Sequence, residues 1–190
     1  RLGSVGHVTA VELNADVIEI AREQSDFNGD IHQEGQNLDV VIEEGRHFLR
    51  GSDQTWDLIL LSIPVTKRGE SYGGFALSES YIFTRESISE YLEHLTERGR
   101  LLIVCHSRQE VGRLINTYLE AVTERGLTPS EAMQHVAVFG EMLITLVIAP
   151  RPTSPAFWSL LEREVRWRGL ARPDDRFFFI PRRGEGGGGG

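Results

Sequence analysis

Strand-length apolar runs alternate with helix-period segments along almost the whole chain. That alternation limits the available folds more than any other feature. Residues 8–13 (VTAVEL) read as a strand, and Asn14 stands where a cap would start a helix running to about residue 25. A polar, glycine-bearing loop is expected over 26–37, then a strand over 38–42 and a short helix carrying Phe48 and Leu49. Residues 56–61 (WDLILL) are nearly all apolar, as in a strand covered on both faces. A long irregular connection is expected over 62–80, and connections of that length inside a compact domain are usually functional.

The second half repeats the pattern. Thr84 caps a helix whose apolar stripe is Ile88, Tyr91, Leu92 and Leu95. RGRLLIVCH, residues 98–106, reads as a turn and a fourth strand. Ser107 and Glu110 form a capping box for a helix with Val111, Leu114, Ile115, Tyr118, Leu119 and Val122 on one side, ending at Gly126. Strands at 136–139 and 142–148 are joined through Gly140-Glu141, which suits a tight hairpin. Ser154-Pro155 opens a last helix to about residue 167, and RFFFIP, 176–181, reads as a short edge strand. Repeated strand-helix units give a Rossmann-like, doubly wound α/β fold. Its sheet is expected to be mostly parallel with a C-terminal antiparallel hairpin, and its ligand to bind at the carboxyl ends of the strands. Residues 1–183 are expected to be one domain and 184–190 (GEGGGGG) a flexible tail.

Composition narrows the function classes. A formal net charge of −8 disfavours a nucleic-acid track, which needs a basic face. No apolar run approaches the ~20 residues of a membrane-spanning helix. The single cysteine, Cys105, leaves no internal disulfide and no cysteine-based metal site. The histidines show no metal-ligand spacing. The chain opens on Arg1 without a signal-peptide pattern, and both ends read as cuts in a longer protein.

Several residues could carry chemistry at the carboxyl edge. Glu12 ends the first strand, where a carboxylate can accept both hydroxyls of a ribose; the alternative is a solvated strand-end acid. Glu44 and Gly45 stand where a strand hands over to a helix. The acid could accept from an adenine amino group while the glycine allows close backbone approach, or it could simply favour the helix N-terminus. Ser62 and Ile63 end the third strand on the same edge, whereas Asp57 starts it and lies at the wrong end. Lys67 and Arg68 could hold an anionic group or be a solvated pair, with Gly69, Gly73 and Gly74 as hinge positions. Glu79 and Tyr81 are polar groups able to face a pocket. His106 follows the fourth strand, either as a general base or as a capping histidine.

In order, VTAVELN…VIEIARE, VVIEEGRHFL, DLILLS and ALSESYIFTRESISEYLEHLTERGRLLIV resemble the spermidine synthase-like branch of the class I S-adenosylmethionine-dependent methyltransferase superfamily. The resemblance runs from about residue 3 to residue 150. It implies a seven-stranded sheet whose first strand and Gly-rich loop precede Arg1. It also implies S-adenosylmethionine or its decarboxylated form as cofactor, bound by Glu12, Glu44, Gly45, Ser62 and Ile63. Ser62, Glu79 and Tyr81 would then be the catalytic candidates. Aminopropyltransferases resembling this chain carry an aspartate where Ser62 stands and a tyrosine where Phe83 stands, and a serine cannot attract a polyamine cation as a carboxylate does.

The expected function is therefore group transfer from a sulfonium cofactor to an unknown small-molecule acceptor, of which an amine is one class. True aminopropyl transfer, with Glu79 replacing the aspartate, is one alternative. A non-catalytic nucleotide-binding module of a membrane-linked protein is another. The expected location is cytoplasmic; the look-alikes are often joined to membrane-spanning segments, and such segments outside this chain would hold the domain at the membrane. Open strand edges lead to the expectation that the chain self-associates.

Overall fold

A computed structural model describes residues 6–28, 37–62, 81–140, 143–152 and 154–167. The chain divides into two compact units, Arg1–Asp53 and Gln54–Gly190.

In the first unit, strands β1 (Val8–Glu12) and β2 (Leu38–Ile42) pair in parallel, from Val8 opposite Leu38 to Glu12 opposite Ile42. Asn37, at φ 80°, turns the chain into β2, and its carbonyl accepts from the Val8 N–H at 2.8 Å. Asparagine tolerates that left-handed backbone better than most side chains. The Asn14 side chain caps α1 (Ala15–Glu23) by accepting from the Asp16 N–H. A further helical turn, α2 (Ser25–Asn28), occupies the start of the segment read as loop. Its Ser-Asp start is a helix-opening pair that the glycine and asparagine content around it obscured. Helix α3 (Gly45–Arg50) follows β2 at once. Apolar burial here is sparse: Ile18 and Leu49 are buried, while Val8, Leu13, Val17, Ile20, Phe27 and Ile42 are exposed.

The second unit carries a four-stranded sheet ordered β3-β4-β6-β5, built from β3 (Trp56–Ser62), β4 (Leu95–Cys105), β5 (Val136–Phe139) and β6 (Ile144–Ile148). β3 and β4 are parallel, while β6 is antiparallel to both β4 and β5. The helices are α4 (Arg85–Glu93), α5 (Arg108–Thr123), α6 (Pro129–Met133) and α7 (Pro155–Trp167). Leu102, Ala137 and Val147 share the sheet face covered by Trp158, Phe157 and Leu161 of α7. The alternate residues Leu101, Ile103, Leu146 and Ile148 are fully or nearly fully buried on the other face, with Ile88 and Tyr91 of α4 and Tyr118 of α5 among the most buried side chains. The mixed α/β fold with a parallel sheet and an antiparallel hairpin agrees with the sequence reading.

Four local expectations need correction. Leu95 does not continue α4 but begins β4. The turn read at Arg98-Gly99 is an irregularity inside β4: Trp56 pairs with Leu95 and Leu58 with Arg100, two steps on one strand against five on the other. The hairpin is longer than a two-residue turn, because its ladder opens at Phe139 opposite Thr145. Gly140 does supply a positive φ, at 110°. β3 is not covered on both faces: Ile59 is buried, but Leu58 and Leu60 are 52% and 53% exposed. The Thr128/Glu131 capping box that opens α6 went unread, although TPSE shows a cap, a proline at N1 and an acid at N3. The edge strand expected at 176–181 lies outside the described residues.

Candidate functional site

In the first unit the parallel register places the last residue of β1, Glu12, opposite Ile42, and the Glu43 N–H continues the ladder to the Glu12 carbonyl at 3.1 Å. Glu12 and Glu44 therefore stand at the same, carboxyl-terminal end of the parallel pair. Glu12 is half-buried. Its Oε1 accepts from the Asn14 N–H at 2.9 Å, which holds the carboxylate at the strand-to-helix turn. A carboxylate accepts about four hydrogen bonds. This one keeps capacity for a pair of neighbouring hydroxyls.

Glu44 is the N-cap of α3. Its two oxygens accept from the Arg46 N–H at 3.1 Å and the His47 N–H at 2.9 Å. The helix-capping reading is thus realised, and any adenine contact must use the remaining lone pairs of an acid already fixed in place. Beyond its two chain neighbours and the backbone of α3 itself, no atom of the described residues lies within 4 Å of where a Cβ would sit on Gly45, so a flat ligand could approach that backbone. Two hydrogen-bond acceptors with lone pairs to spare, Glu12 and Glu44, thus stand beside an open glycine at one end of the strand pair.

In the second unit Ser62 ends β3, exposed, in register with Val104. β4 ends at Cys105, and His106 and Ser107 lead into α5. Burial pushes the Cys105 thiol up to about 12, with the nearby Glu110 charge adding to the shift, so it is not a thiolate nucleophile at neutral pH. The expected Ser107/Glu110 box is half formed. Ser107 accepts from the Glu110 N–H at 3.3 Å, but Glu110 Oε2 accepts from the His106 N–H at 2.8 Å, one residue earlier than a capping box requires. Sequence spacing could not separate those two neighbouring donors.

Tyr81 is exposed and opens the described part of the SESYIFT block. The Ile82 carbonyl accepts from Ser87 Oγ at 2.5 Å and from the Tyr91 hydroxyl at 3.0 Å, so α4 anchors the end of that block. Ile63, Glu79, Lys67, Arg68, Gly69, Gly73 and Gly74 lie outside the described residues. Among the described residues there is no group of three or more potential metal ligands and no helix long and apolar enough to cross a membrane.

No family model matches the chain, and no curated sequence matches it. Solved structures do. The class they define is the class I methyltransferase-like Rossmann fold, and this chain has that fold. Within it, the chain is similar to a spermidine synthase in complex with the transition-state analogue AdoDATO, at 15% identity and a TM-score of 0.53, covering 89% of this chain and 57% of that one. It is similar to the spermidine synthase of Thermotoga maritima at 16% identity and a TM-score of 0.53, covering 90% and 59%. Human methyltransferase-like protein 13 in complex with SAH gives 15% identity and a TM-score of 0.53, covering 89% and 73%. The chain thus spans less than two thirds of the length of these two spermidine synthases.

Proposed function

We propose that this chain is the S-adenosylmethionine-binding part of a transferase that moves a group from a sulfonium cofactor to a small-molecule acceptor. The observation that carries the reading is the placement of Glu12 and Glu44 at one carboxyl-terminal end of a parallel strand pair, in a methyltransferase-like fold. Ligands of such folds bind at that end of the sheet. Glu12 would accept from the ribose hydroxyls. Glu44, pinned by two backbone N–H groups, would accept from the adenine amino group over the open Gly45 backbone. The cofactor supplies an electrophilic carbon on a positively charged sulfur. The chain's part is to hold and align, and alignment alone contributes strongly to such transfers.

The likeness to spermidine synthases supports aminopropyl transfer as a second reading. Against it, the exposed end of β3 carries the hydroxyl of Ser62, not a carboxylate. Methyl transfer to an acceptor with little positive charge is the form the residues favour.

Calorimetry of the full-length protein that contains this chain, with S-adenosylmethionine, S-adenosylhomocysteine and decarboxylated S-adenosylmethionine, tests the reading. Saturable binding of one of them is expected. Silence with all three would sink both transferase forms and the nucleotide-binding module alike. Binding without transfer to any amine or hydroxyl acceptor would leave the module.

A further inference from the structure

We propose that α1 and α2 dock a basic amphipathic helix of a partner protein. The surface lies wholly in the first unit and does not depend on the transferase reading.

Helix α1 carries more apolar surface than its own unit covers. Ile18 is buried, and Ala21, three residues on, is half-buried beside it. Val17 and Ile20 continue the same apolar arc round the helix, yet they are 48% and 59% exposed. The Gln24 N–H donates to the Ile20 carbonyl at 3.1 Å and the Phe27 N–H to the Gln24 carbonyl at 3.0 Å, so the helical path carries on from α1 into α2. It brings Phe27, 91% exposed, about two turns along from Ile20. Residues 17, 20, 24 and 27 thus follow the alternating spacing of a helix–helix seam, with Gln24 as its polar member. A helix face meant for water carries polar side chains along such a stripe. Contiguous exposed apolar side chains mark a contact surface instead.

The charges bordering the seam select its occupant. Asp16 stands four residues before Ile20 and Glu23 three after it, so both line the outer side of the seam. Both are exposed, as are Glu19 and Asp26 further round the helix. Arg22 is the sole basic residue from Ala15 to Asn28, and its position is nearly opposite Ile20 on the helix. A second copy packed on the seam would bring Asp16 and Glu23 against like charges, and an anionic lipid surface would repel them. A helix with an apolar stripe bordered by lysine or arginine supplies both the cover and the opposite charge.

The test uses the full-length protein that contains this chain and two fluorescein-labelled helical peptides. Both peptides carry leucine at the seam spacing; one has lysine beside the stripe, the other glutamate. In fluorescence anisotropy the lysine peptide should bind saturably, at least about tenfold more tightly than the glutamate peptide, and should weaken as salt rises. Ile20→Ser combined with Phe27→Ser should weaken that binding by roughly tenfold or more. Both side chains are exposed, so this variant should keep the parent's circular dichroism. Asp16→Asn combined with Glu23→Gln should bring the two peptides to within about threefold of each other. No binding of the lysine peptide, equal binding of both peptides by the parent, or undiminished binding by the serine variant would each overturn the proposal. So would capture of the protein by phosphatidylserine vesicles in place of the peptide, or sedimentation showing that Ile20 and Phe27 hold two copies together. Should the serine variant misfold, the charge variant and the salt dependence still decide.

Discussion

At the scale of single residues, the two acids of the first unit separate by what their oxygens already do. Glu12 spends one oxygen on the Asn14 N–H, whereas Glu44 spends both on α3. Removing each should therefore do different things. Glu12→Ala should weaken S-adenosylhomocysteine binding by roughly tenfold to a hundredfold in calorimetry, the worth of one or two hydrogen bonds to a charged group. Its effect on the thermal midpoint should be small. Glu44→Ala should cost about 1 kcal/mol of stability as a lost N-cap, read as a lower urea midpoint. His135 gives a third case. It is buried, and desolvation holds its imidazole below the ordinary value of 6.5, outweighing the nearby Ala149 backbone and Glu131. A depressed histidine leaves the unfolded chain binding more protons than the folded one below 6.5, so stability is full above that pH and falls as pH drops toward the folded value. Glu131, whose carboxyl is lowered from 4.5 by its Thr128 hydrogen bonds, acts in the same direction but only below that pH. Thermal midpoints should thus drop between pH 7 and about 5, and His135→Gln should flatten that slope. An unchanged slope in the variant would remove His135 as the cause.

At the scale of elements, helix caps and strand cores were legible in sequence because their signals are local. Asn14, Thr84 and Ser107 each accept the N–H bonds expected of an N-cap. The strands 38–42 and 136–139 match residue for residue, because these short valine-bearing runs, LDVVI and VAVF, show no helical period. Apart from the local TPSE cap of α6 and the Ser-Asp start of α2, what failed depended on partners distant in sequence. Gly99 reads as a turn residue beside Arg98, but it serves the β3–β4 pairing. A Cβ there would sit 2.8 Å from the Trp56 carbonyl and 3.0 Å from Leu95 Cβ. The exposure of Leu58 and Leu60 was equally hidden, because an apolar run does not say which neighbours are present to cover it. For the site, the acids at strand ends could be read, while the capping bonds that occupy Glu44 could not. The Gly99 contact yields its own prediction. Gly99→Ala must push Trp56 and Leu95 apart, and should cost about 1–3 kcal/mol as an overpacked contact. Urea unfolding reads it, and a variant as stable as the parent would show that the irregularity is soft.

At the scale of the molecule, the two units differ in how much they bury. Among the described residues the first unit's buried apolar side chains are Ile18 and Leu49, while the second buries apolar residues on both faces of its sheet. A two-stranded sheet with so small a core is marginal by itself. Hydrogen exchange should therefore be faster for the amides of β1 and β2 than for those of β4 and β6, by about tenfold for each 1.4 kcal/mol of difference in opening energy. Equal protection in both would contradict that ranking.

The same imbalance bears on association. Among the described residues β3 pairs on one side only, with β4, and its exposed leucines 58 and 60 lie on a single face. An apolar edge strand without an outward charge is a template for pairing with another copy, and nothing in WDLILLS blunts it beyond Asp57 at its start. Self-association through this strand is the expected outcome. Burying the exposed half of each leucine contributes about 1 kcal/mol. Substituting both Leu58 and Leu60 by lysine should thus weaken association by at least roughly tenfold. Sedimentation equilibrium of the wild-type chain should show mass rising with concentration, and the double variant should remain monomeric over the same range. A wild-type chain that stays monomeric, or a double variant that associates just as strongly, would show that β3 is not the contact.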